Sequence, residues 1–146
     1  MEAPTKVGFA LQKITTEQFA LIESGFVDNG NIKLKIDLRF AADDVQKVVS
    51  VFSSFTFESE QKPFIIIETG CHFNINDETW VQMYRTEEKK IHLPKELITH
   101  LAVLTIGTTR GILHAKTENT CFNKYLLPTI NVTELVKEDA IFSFDN

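Results

Sequence analysis

Leu93-Pro94-Lys95-Glu96-Leu97-Ile98 opens, and Leu127-Pro128-Thr129-Ile130-Asn131-Val132-Thr133-Glu134-Leu135 closes, the one part of this chain that reads as long helix. Pro94 suits a first helical position, because it has no N–H to lose and its φ is already helical. After it, one stripe recurs at Leu97, Leu101, Leu104, Thr108 and Ile112, and a second at Ile98, Ala102, Thr105, Ile106 and Leu113. A helix apolar on two sides needs cover on both, which predicts packing on a sheet and also on something further, such as a partner subunit. Asn131 predicts an N-cap, Glu134 is spaced to reach back as in a capping box, and a short second helix is expected from Val132 to about Glu138.

Working back toward the N-terminus, Val7, Phe9 and Leu11 alternate with polar or small residues, the period of a strand over residues 6–13. From Ile14 to Gly30 the alternation fails, and a connection this long with apolar Phe19-Ala20-Leu21-Ile22 and Phe26-Val27 is no plain loop. Ile32, Leu34, Ile36, Leu38 and Phe40 then alternate with Lys33, Lys35, Asp37 and Arg39, as in an antiparallel strand with one face on the core. A turn at Ala41-Ala42-Asp43-Asp44 leads to a third strand, Val45 to Phe57, and a fourth runs from Phe64 to Ile75. Residues 76–91 read as a loop or a short helix. Strands first and helices last describe an α+β fold: a four-stranded antiparallel sheet with one long and one short C-terminal helix on one face.

The 146 residues fit one domain, able to bury roughly two thirds of its unfolded surface without metal or disulfide. Twelve of the fifteen aromatics are Phe, which implies apolar surface with no polar handle, either core or a greasy binding face. A net charge of −5 with no basic cluster argues against nucleic acid, whose phosphates need a Lys/Arg patch. Cys71 and Cys121 have no C-x-x-C spacing, the N-terminus has no signal-peptide pattern, and no apolar run approaches the roughly 20 residues of a membrane helix. These features predict a cytoplasmic protein, in which the sequon Asn131-Val132-Thr133 is a helix cap rather than a glycan site.

Candidate chemistry is thin. His92, Glu96 and His100 share four-residue spacing, but Pro94 interrupts the helix and a third ligand is missing, so no metal is expected. Cys71 and His72 are strand neighbours and point to opposite faces. Gly107-Thr108-Thr109-Arg110-Gly111 lacks P-loop spacing and sits in the helix, where its glycines permit a close crossing or a bend. Asp43-Asp44 reads as a solvated turn. No enzyme and no cofactor are expected.

The arrangement as a whole resembles the SecB family of export chaperones. The residues that carry the resemblance are Gly70-Cys71-His72-Phe73-Asn74-Ile75, similar to the family's Gly-Gly-x-Phe-x-Ile; the helix ending Arg110-Gly111; and Pro128-Thr129-Ile130-Asn131, similar to its Pro-Val-Asn segment. Cys71 replaces the second glycine, the segment from Gly111 to Pro128 is longer than in typical members, and the acidic tail is reduced to Phe142-Ser143-Phe144-Asp145-Asn146. The resemblance implies an ATP-independent holdase that keeps unfolded precursors translocation-competent for protein export, assembled as a homotetramer (a dimer of dimers). First strands would pair and long helices pack between subunits, with Val7, Phe9, Leu11, Ile98, Ala102 and Thr105 at the interface. It further implies that a crossover and the second helix border a groove for clients, with Phe19, Leu21, Ile22, Phe26, Val27, Leu135 and Val136 as contacts. The SecA motor is an implied partner, and Glu68 lies in the strand that would contribute to its acidic docking surface. Two other readings stay open: a SecB-like chaperone dedicated to one client, such as an antitoxin, and a carrier of a small apolar ligand.

Overall fold

The computed structural model describes residues 8–28 and 30–144, so Val7 of the expected interface lies outside them. Four long strands, β1 (Phe9–Leu21), β2 (Ile32–Asp43), β3 (Val48–Ser59) and β4 (Lys62–Ile75), form an antiparallel sheet in the order β1-β4-β3-β2. Helix α1 (Asp77–Met83) and strands β5 (Tyr84–Arg85) and β6 (Lys90–Leu93) precede the long helix α2 (Lys95–Thr117). A short helix α3 (Val132–Leu135) and β7 (Ala140–Ser143) follow, and β7 joins β6 and β5 in a second, three-stranded sheet.

The hairpins follow from local chemistry. Asp43 Oδ1 accepts from the backbone N–H groups of Val45 and Gln46 at 2.9 and 3.0 Å, and Lys47 takes a left-handed φ of 55°, closing β2 onto β3. Between β3 and β4 the two-residue turn Glu60-Gln61 has φ of 51° and 68°, as a primed hairpin turn requires, although neither residue is glycine. Alternation along β3 and β4 sends Val49, Val51, Phe55, Phe57, Ile65, Ile67, Cys71, Phe73 and Ile75 to one face, all buried. Helix α2 covers that face over β3 and β4.

Strand β1 departs from expectation. It does not stop at Lys13 but runs to Leu21, and the stretch expected to be connection is its second half. Bulges between Leu11 and Lys13 and between Thr16 and Gln18 each insert one residue and reverse the alternation. Phe9, Leu11, Ile14, Phe19 and Leu21 therefore lie opposite Ile75, Phe73, Cys71, Ile67 and Ile65, on a single face. The true crossover is only residues 22–31, passing the β3–β4 hairpin end through the bond from Ile22 N to Phe64 O at 2.8 Å.

Helix α2 also corrects the sequence reading. Pro94 is its N-cap rather than its first residue, and Lys95 N donates to Asp139 Oδ1 at 2.8 Å. The inward stripe is Ile98, Leu101, Ala102, Thr105, Ile106, Thr109, Leu113 and Thr117. Ile98, Ala102 and Thr105, expected between subunits, are thus buried within the subunit, against the sheet. What α2 turns outward is Val103, Leu104, Gly107 and Gly111. Asn131 caps α3 as expected, its Oδ1 accepting from Thr133 N at 3.2 Å and Thr133 Oγ1 at 2.5 Å. The helix ends at Leu135 rather than near Glu138, where its C-cap Val136 turns extended.

Candidate functional site

The residues expected to meet clients fall into two groups. The first gathers where the crossover passes the β3–β4 hairpin. Val27 N donates to Ser59 Oγ at 3.2 Å, Ser59 Oγ donates back to Val27 O at 2.8 Å, and Lys124 Nζ pairs with Asp28 at 2.8 Å. Phe26 is half-buried on Phe64 and Phe122, while Val27 is exposed. Leu21 and Ile22 are half-buried at the end of β1, and Phe19 lies 5.2 Å beneath the Lys116 ammonium. The second group is at the other end of β2. Leu135 is exposed on α3 beside a 330 Å³ depression formed with Phe40, Ile98 and the segment 136–140, and Val136 is buried at 4% exposure, which makes it core more than contact surface.

Between the two groups runs β2, an outermost strand. Ile32, Leu34, Ile36, Leu38 and Phe40 sit half-buried against the core over roughly 26 Å, at about 3.3 Å per residue. Sequence reasoning took these residues as ordinary core. Their alternation identified the face, and only the position of α2 over β3 and β4 leaves that face partly open. A further 200 Å³ recess lies on the other side of α3, lined by Val103, Ile106, Arg110, Thr129, Ile130 and Val132. Arg110 holds this segment in place by donating to the carbonyls of Leu127 and Pro128 at 3.0 and 2.9 Å.

A second apolar region follows the β1 edge. Leu11 and Ile14 are 50% and 47% exposed on the helix-bearing face, because α2 does not cover β1. Helix α2 passes alongside, with His100 by Phe9 at 5.6 Å and Lys116 by Phe19. Leu104, one turn after His100, is 41% exposed, and a Cβ added at Gly107 or Gly111 would meet nothing within 4 Å.

The opposite face of the sheet is polar. Lys35 pairs with Glu58 at 3.0 Å and Arg39 with Glu68 at 3.7 Å, and the Arg39 guanidinium also lies 4.0 Å over the Phe52 ring. His72 is held between Thr15 Oγ1 at 3.0 Å and Ser50 Oγ at 2.7 Å. Burial, and secondarily the Lys13 ammonium, push its pKa below the usual 6.5, with Glu17 opposing. Cys71, its neighbour, is buried on the other face, so the two do not meet. His92 lies in β6 with Nε2 3.6 Å from Glu88, His100 is exposed on α2, and Glu96 is in the first turn of α2. Among the described residues no group of three His, Cys, Asp or Glu side chains could hold a metal ion, and no helix is long and apolar enough to cross a membrane.

This long four-stranded sheet, covered on one face by a long helix with a short capped helix after it, is the SecB-like fold. A SecB-like chaperone of Mycobacterium tuberculosis, Rv1957, solved with a ChAD peptide from the HigA1 antitoxin Rv1956, superposes with a TM-score of 0.52. The match is 10% identical and covers 84% of this chain and 90% of that one. A Streptococcus agalactiae protein of unknown function matches over 84% of this chain and 97% of its own, at 13% identity and a TM-score of 0.39. No family model matches the chain, and no curated protein does.

Proposed function

We propose that this chain is an ATP-independent holding chaperone that binds unfolded polypeptide along the apolar surface joining the crossover, the open face of β2 and α3. The observation that carries this reading is that open face of β2, apolar over most of its length and flanked by recesses beside α3, on a fold shared with a chaperone solved with an antitoxin peptide. Burying a client's apolar side chains contributes about 25 cal/mol per Å², so spaced weak contacts on one assembly hold a long chain by avidity, without nucleotide. The Leu11, Ile14 and Leu104 surface supports assembly with further copies, and a homotetramer is expected. Negative charge keeps the loaded complex soluble in the cytoplasm.

Within this role, export is one reading and a single dedicated client is the second. The second is favoured by the sheet's polar face. Glu68, expected to help form an acidic docking surface for SecA, is paired with Arg39, and Lys35 offsets Glu58, so the face is mixed in charge rather than acidic. Measured affinity for SecA separates the two readings.

The decisive test combines solution mass with suppression of aggregation of an unrelated unfolded protein in the absence of ATP. A tetramer that suppresses aggregation is expected. A monomer without effect overturns the proposal, and a monomer that co-purifies with lipid points to an apolar-ligand carrier instead.

A further inference from the structure

The crossover carries one half-buried aromatic residue, Phe26, between exposed Glu23, Ser24 and Gly25 on one side and exposed Val27 and Asp28 on the other. Its ring centroid lies 4.6 Å from Phe64, 5.0 Å from Phe122 and 6.0 Å from Tyr125, edge-on to the last two. Phe57 completes the group, 6.2 Å from Phe64 and 6.0 Å from Tyr125. Four rings from β3, β4 and the segment after α2 thus form an apolar recess, and the fifth ring enters it from an otherwise solvated strap.

The strap is held by its aromatic ring and by polar contacts at its C-terminal end. Ser59 Oγ bonds Val27, an exposed ion pair joins Asp28 to Lys124, and the strap's own backbone bonds include Phe26 N to Glu23 O at 3.1 Å. Exposed ion pairs contribute little. Gly25 has φ of +81°, a conformation that lets the chain turn sharply into Phe26 and that a side chain would strain.

We infer that Phe26 is an intramolecular occupant of the recess that receives an aromatic or long aliphatic side chain of the client, and that client binding displaces the strap from Glu23 to Asp28. This rests on the holding-chaperone reading. Phe26 itself shows that a phenyl ring fits the recess, and exchanging one ring for another keeps Phe57, Phe64 and Phe122 buried. The exchange also sets a threshold: apparent affinity is lowered by the fraction of molecules whose recess is vacant, so only a client with suitable rings, presented at high local concentration, competes.

The test uses the full chain and reduced, carboxymethylated α-lactalbumin as a permanently unfolded probe. Saturating probe is expected to speed amide hydrogen exchange at residues 22–28; slowed exchange there overturns the inference, because it means that the strap is groove wall. Phe26→Ala is expected to bind the probe about tenfold more tightly. Weaker binding by a folded variant makes Phe26 a client contact and overturns the inference. Ser59→Ala keeps all five rings, removes both hydrogen bonds to Val27 and is expected to associate several-fold faster, so it decides the matter if Phe26→Ala does not fold; an unchanged association rate counts against the inference. Failure of every form to bind the probe removes the chaperone reading as well, whereas binding with slowed exchange removes only the occupant.

Discussion

Ser53 Oγ and Thr109 Oγ1 lie 2.5 Å apart in the interface between β3 and α2, and Thr69 Oγ1 also bonds to Thr109. Thr109 has one hydroxyl proton, and its bond to the Thr105 carbonyl at 2.9 Å takes it, so Thr109 accepts from both sheet residues. All three side chains are fully buried. Thr109→Val is therefore expected to destabilise the fold by about 1–3 kcal/mol, because it strips two buried donors of their acceptor. The triple variant Ser53→Ala, Thr69→Val, Thr109→Val should recover most of that loss. Denaturant midpoints of the two proteins check this, and a triple variant weaker than the single excludes the assigned donor pattern.

Gly70 faces Phe52 so closely that an added Cβ would stand 2.7 Å from the ring. The ring is pinned by Arg39 on one side and His72 on another, and it has little freedom to yield. Gly70→Ala should cost about 1–3 kcal/mol through overpacking. Phe52→Leu in the same chain should restore part of it, measured by thermal unfolding.

Protonation of His72 is disfavoured in the folded state, whose pKa lies below the 6.5 of the unfolded chain. The unfolded chain then binds the proton more readily, so stability is independent of this group above about pH 7 and falls as pH drops below 6.5. His72→Gln should flatten that part of the stability profile. An unaltered profile would show that other groups control it.

Gly107 and Gly111 lie on the outward side of α2 with open space beyond them. In an isolated subunit, Gly→Ala at either position should stabilise by about 0.5–1 kcal/mol through helix propensity alone. If subunits meet on this face, Gly107→Leu with Gly111→Leu should lower the solution mass while leaving helicity intact. An unchanged mass places the assembly surface elsewhere, and the Leu11 and Ile14 edge of β1 would then be probed in the same way.

Which parts of this fold were readable depended on how local the determining interactions are. Strands β2 and β3 follow from alternation and β4 from a continuous apolar run, and the Asn131 cap needs only its own next two residues. Strand β1 was cut short because its two bulges flip the face of every later side chain, so Phe9, Leu11, Ile14, Phe19 and Leu21 share a face that no fixed period predicts. Helix α2 was read as apolar on two sides, and the resemblance placed Ile98, Ala102 and Thr105 between subunits. These residues are buried within the subunit together with Thr109 and Thr117, and Thr105, Thr109 and Thr117 each donate to a carbonyl one turn back at 2.8–2.9 Å. Strand β7 pairs with β6 from some fifty residues away, and four-residue strands carry no usable period.

For the binding surface, the resemblance to the SecB family singled out Phe26, Val27 and Leu135, whereas the residues alone showed only that the connection carrying Phe26 and Val27 is too apolar for a plain loop. That much is a local matter of composition and spacing. Whether such a side chain faces a client, a partner subunit or its own chain depends on what covers it, and cover is set by contacts distant in sequence. Tertiary structure alone turned Phe26 onto Phe64 and Phe122, buried Val136 and left the face of β2 open beside α2.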